Sequence, residues 1–63
     1  MTENNLHNLA TQLVQEQKSL WRIEKNYISE AKSPIEKEFW NKLHNEKKIH
    51  IEELKNLIKE NLA

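Results

Sequence analysis

Apolar residues recur at helical spacings through the first half of the chain, at Leu6, Leu9, Ala10, Leu13, Leu20, Trp21, Tyr27, Ile28 and Ala31, with Val14 and Ile23 bordering the stripe. This periodicity marks an α-helix with one apolar face. The second half repeats it with Ile35, Phe39, Trp40, Leu43, His50, Leu54, Leu57 and Ile58. The pattern predicts a first helix over about 4–31, a turn at 32–33 and a second helix over about 34–62. At 1.5 Å per residue each is roughly 40 Å long. Thr2 or Asn4 is placed to cap the first helix, and the polar stretch from Met1 to Asn5 is expected to fray.

The break between the two stripes carries its own signal. Ser33, Pro34, Ile35 and Glu36 spell a capping box. The Ser33 hydroxyl can accept from the N–H of Glu36, and the Glu36 carboxylate can reach back to the N–H of Ser33. Pro34 falls on the first helical position, where no N–H is required. An interior proline can also kink a through-going helix into a long coiled coil, but such a helix has no use for a cap. The expected fold is therefore all-α: an antiparallel two-helix hairpin in a single domain, 1–63. Two amphipathic helices cannot cover each other's apolar faces completely, so the hairpin is expected to self-associate into a four-helix bundle.

Composition sharpens this picture. The chain has 63 residues, no cysteine, no glycine and one proline, so disulfides, thiolate metal sites and Gly-rich phosphate loops are excluded. Ten basic and ten acidic side chains cancel, which removes the broad attraction that non-specific nucleic-acid binding uses. Neither a membrane-spanning apolar run nor a charged-then-apolar leader is present, which makes a cytoplasmic location the expectation.

Several polar groups fall on the apolar stripes. Gln17 and Glu24 lie near the middle of the first, and His50 lies on the second with Glu46 and Lys47 one turn earlier. Polar groups at such positions can hydrogen-bond to one another and fix register and oligomeric state. The alternative is a metal site, since Glu46, His50 and Glu53 share one side of a helix over two turns. Lys18, Arg22, Lys25 and Lys32 form a basic edge on the first helix, and Glu46, Glu53 and Glu60 recur at heptad spacing on the second. These edges suit interhelical pairing, with a phosphate track on nucleic acid as the rival. Trp21 and Trp40 fall toward the same outer margin, where they pack at a helix or dimer interface or serve a protein partner.

The run from Ala31 to Pro34 and on through Phe39, Leu43, His50 and Leu54 resembles the helix-turn-helix half of rubrerythrin-type, ferritin-like proteins. In that likeness His50 falls on the family's metal-binding histidine, while Lys47 stands where its Glu-x-x-His motif has Glu and Gln17 stands about where the first helix brings a Glu. The resemblance implies a hairpin that pairs into a four-helix bundle rather than a di-iron oxidase. The architecture is also similar to Rop-type RNA-binding dimers of helical hairpins. No catalytic motif is present, and Ser19, Ser29 and Ser33 have no His at helical spacing to activate them.

The expectation is a non-enzymatic, self-associating interaction module or small regulator with no cofactor, acting as a homodimer. Its buried surface is expected to come from Leu6, Leu9, Leu13, Leu20, Trp21, Tyr27, Ile28, Phe39, Trp40, Leu43, His50, Leu54, Leu57 and Ile58. A metal-binding hairpin and a nucleic-acid-binding dimer are the alternatives.

Overall fold

A computed structural model describes residues 3–62, and all of its regular structure is helical. The first helical stretch comprises α1 (Glu3–Arg22), a π-helical turn (Ile23–Tyr27) and α2 (Ile28–Glu30). The second is α3 (Pro34–Leu62). The two stretches pack side by side in a rod 45 × 14 × 12 Å. Contacts between them run in opposite order along the chain: Tyr27 meets Trp40, Glu24 meets His44 and Glu16 meets Lys47.

The helix break has a clear local cause. Ala31 is extended, with φ −64° and ψ 134°, so the chain is not one continuous kinked helix. Ser33 precedes proline, which disfavours the helical backbone there. Ser33 Oγ then accepts from Glu36 N at 3.2 Å, and the Ser33 carbonyl accepts from Lys37 N at 3.1 Å as the first turn of α3 closes. The Glu36 carboxylate reaches back as a capping box requires, but one residue further than expected. It accepts from Lys32 N at 3.0 Å and from Ser33 Oγ at 3.1 Å, rather than from the N–H of Ser33. At the other end, Asn4 lies inside α1 rather than capping it, Glu3 to Asn5 are helical, and the Thr2 cap and the fraying of Met1 and Thr2 lie outside the described residues.

The π turn interrupts what the spacing predicts as an uninterrupted helix. Ile28 N donates to the Ile23 carbonyl, five residues back. Each π turn takes in one extra residue, so the chain beyond it lags by roughly 100°. A regular helix would follow Leu20, Ile23 and Tyr27 with Glu30 on the packed side. The lag instead turns Ile28 and Ala31 inward, both half-buried, and leaves Glu30 exposed.

The packed seam is thin and coincides with the expected stripes only in part. Its centre on the first stretch is Leu6, Leu9, Leu13, Glu16, Leu20, Ile23 and Tyr27, all buried or half-buried. Ile23 is 1% exposed and is the most enclosed side chain, not a border residue. Gln17 and Glu24 are exposed rather than central. On α3 the seam runs through Trp40, Leu43, His44, Lys47, Ile51, Leu54, Ile58 and Asn61, with Ile51 the buried apolar residue that the expected stripe omitted. Placing a charged Glu16 outside the stripe shifts its apparent centre toward Gln17, and the same bias at Lys47 shifts the second stripe toward His50.

Candidate functional site

The middle of the seam is charged. Glu16 is only 9% exposed and projects from α1 between the helices. Lys47 Nζ donates to its Oε2 at 2.8 Å, Gln12 Nε2 donates to its Oε1 at 3.2 Å, and His50 Nδ1 lies 3.7 Å from Oε1. The hydrogen bond from the Lys47 ammonium holds the Glu16 carboxyl below the usual carboxylate range against the opposing pull of burial. The bond from Gln12 and the charges of Lys47 and His50 act in the same direction as the first. A buried carboxylate with two donors and a counter-ion is satisfied, so the cluster fixes how α1 and α3 align.

A second cross-helix pair stands nearer the turn. His44 Nε2 lies 2.7 Å from Glu24 Oε1, and with the carboxylate ionised the ring nitrogen must be the donor. Beyond it Tyr27 and Trp40 stack at 4.9 Å between ring centroids, and Phe39 meets the Trp40 ring edge-on at 5.1 Å. Glu16 and His44 escaped the sequence pattern because both are polar. The signal that finds them is the strict three-four alternation itself, which passes through Glu16 between Leu13 and Leu20, and through His44 and Lys47 between Trp40 and Ile51.

The expected interface residues divide into two groups. Leu6, Leu9, Leu13, Leu20, Tyr27, Ile28, Trp40, Leu43, Leu54 and Ile58 are half-buried within the single chain. Trp21, Phe39, His50 and Leu57 are exposed. Trp21, at 57% exposure, stands with Val14, Gln17, Lys18 and Arg22 around a shallow apolar groove on α1. Trp21 and Trp40 therefore do not share a margin, since Trp40 packs between the helices. Gln12, Glu16, His50, Glu53, Leu54 and Leu57 line a second shallow groove, between the helices.

Glu46, His50 and Glu53 are all exposed on α3, with His50 and Glu53 at the rim of the groove between the helices. Among the described residues no group of three His, Asp or Glu side chains is placed to hold a metal ion. Ion pairs among the described residues join Glu16 to Lys47 and His50, Glu24 to His44, and Glu52 to Lys55. None links the basic edge of Lys18, Arg22, Lys25 and Lys32 to Glu46, Glu53 and Glu60, so within one chain these two edges do not neutralise each other. No described helix is long and apolar enough to cross a membrane.

Comparison of the chain with protein-family models, with curated proteins and with solved structures gives no match.

Proposed function

We propose that the chain is an antiparallel two-helix hairpin that self-associates, bringing four helices together from two copies, and that it works as a non-enzymatic interaction module. The observation that carries this reading is the mismatch between the apolar residues available and those enclosed. Ile23 and Ile51 are the buried hydrophobic side chains of the described residues, whereas Val14, Trp21, Ile35, Phe39, Ile49, Leu57 and Leu62 are exposed. The accessible surface is 4989 Å². A compact monomer of this mass exposes about 4,300 Å². Large exposed apolar side chains flanked by charge are what protein interfaces look like before they form.

Two of the three serines considered as nucleophiles are engaged in local backbone contacts. Ser29 Oγ donates to the Asn26 carbonyl at 2.9 Å, and Ser33 Oγ belongs to the cap of α3. The basic residues Lys18 and Arg22 border an apolar groove with Trp21 and Val14. An apolar floor of that kind favours a protein partner over a phosphate backbone.

Thermal unfolding followed by circular dichroism over a hundredfold range of protein concentration tests the proposal. Association linked to folding raises the midpoint as concentration rises. A concentration-independent midpoint with full helicity would overturn it.

A further inference from the structure

The two exposed apolar flanks lie on opposite faces of the rod and differ in the charges that border them, glutamates predominating beside one and lysines beside the other, with Lys42 and Glu52 as the exceptions on α3. Gln12 of α1 shares one groove with His50, Glu53 and Leu57 of α3, which defines a common face. Trp21 follows Gln12 on the same unbroken α-helix and at 100° per residue lies about 180° round from it. Val14 is about 160° away by the same measure. The Trp21 flank therefore looks out of the reverse face. On α3, Phe39, Glu46 and Glu53 all lie within about 40° of the Leu57 direction, whereas Lys48 lies about 180° from it. One face thus presents Phe39 and Leu57 beside Glu46 and Glu53, and the other presents Val14 and Trp21 beside Lys18 and Lys48.

Resting on the self-association proposed above, we infer that the hairpins meet through unlike faces: the Val14–Trp21 flank with its lysines docks onto the Phe39–Leu57 flank with its glutamates in a second copy of the same chain. Like-face pairing would set lysine against lysine or glutamate against glutamate around the apolar contact, and such juxtapositions select against a partner. Unlike-face pairing neutralises both edges, in keeping with equal numbers of acidic and basic side chains in the whole chain. It also covers apolar surface on both faces, where a two-fold pairing of like faces covers one. The contact is heterologous, so each pair of hairpins keeps one free face of each kind and can recruit further copies.

Two variants at exposed positions test this, Trp21→Asp and Leu57→Asp, each spoiling one face and leaving the other intact. Sedimentation velocity is run on the natural chain, on each variant and on their equimolar mixture, with helicity measured in parallel. The inference expects the natural chain to grow in mass with concentration and each variant alone to stay monomeric. The mixture should then give a one-to-one pair that associates at least about tenfold more tightly than either variant with itself. If a variant unfolds when alone, recovery of its helicity on mixing is the same result. Should both variants fold poorly even when mixed, the milder charge reversals Lys18→Glu and Glu53→Lys take their place, with weakened association singly and restored association together. If one variant self-associates like the natural chain while the other does not, or if mixing restores nothing, the unlike-face contact is wrong although self-association stands. If the natural chain is monomeric at every concentration, self-association itself fails, and the flanks serve some other partner.

Discussion

Glu16 is the residue on which the alignment of the two helices turns. Its lowered pKa means that folding favours the ionised form, so the stabilisation is fully present above the ordinary Glu value of about 4.3 and is lost as pH falls through the folded value below it. The melting temperature of the natural chain should therefore drop on acidification below about pH 4.3, and Glu16→Gln should show a shallower drop over that range. Because Lys47 Nζ is held against Glu16 in a mostly enclosed position, Glu16→Leu strands an ammonium and should cost roughly 1–3 kcal/mol. Replacing Glu16 and Lys47 together by leucine should be neutral or stabilising, read from denaturant melts of the single and double variants. A pattern of apolar letters alone hides this pair. Glu16 and Lys47 occupy seam positions that hydrophobicity assigns to the outside, and only their charge complementarity across the helices makes those positions tolerable.

At the level of elements, the second helix is defined by its start. Ser33→Ala removes the oxygen that accepts from Glu36 N and should cost about 1 kcal/mol, whereas Pro34→Ala should cost less, since proline at the first helical position gives up no donor bond. Thermal melts of the two variants check that order, and a stabilised Pro34→Ala variant would contradict it. The break was legible in Ser33, Pro34 and Glu36 because capping is local chemistry over four residues. The reach of Glu36 to Lys32 was not legible, since it depends on the extended backbone at Ala31. Nor was the π turn. The shift from Leu20 and Ile23 to Ile28 and Ala31 is compatible with a regular helix of broad apolar face until α3 fixes which residues must point inward.

At the scale of the whole molecule, the described residues of a single copy supply one seam between two helices. Among the described residues, two buried aliphatic side chains, a line of half-buried ones and a satisfied ion cluster make a marginal core for a chain of this length. The helical class and the existence of two packed helices could be read from periodicity. The division of the apolar residues into an internal seam and two outward flanks could not, because Trp21, Phe39 and Leu57 are as apolar as the residues that pack inside. Rotation of each helix about its axis separates the two groups, and the charged seam residues set that rotation.

The most direct test of this account is the mass of the natural chain in solution, measured by sedimentation equilibrium from low micromolar to millimolar concentration at neutral pH. Self-association predicts a weight-average mass that rises above the 7.6 kDa of one chain, with helicity increasing alongside it. A fully helical species that stays at 7.6 kDa across the whole range would contradict it.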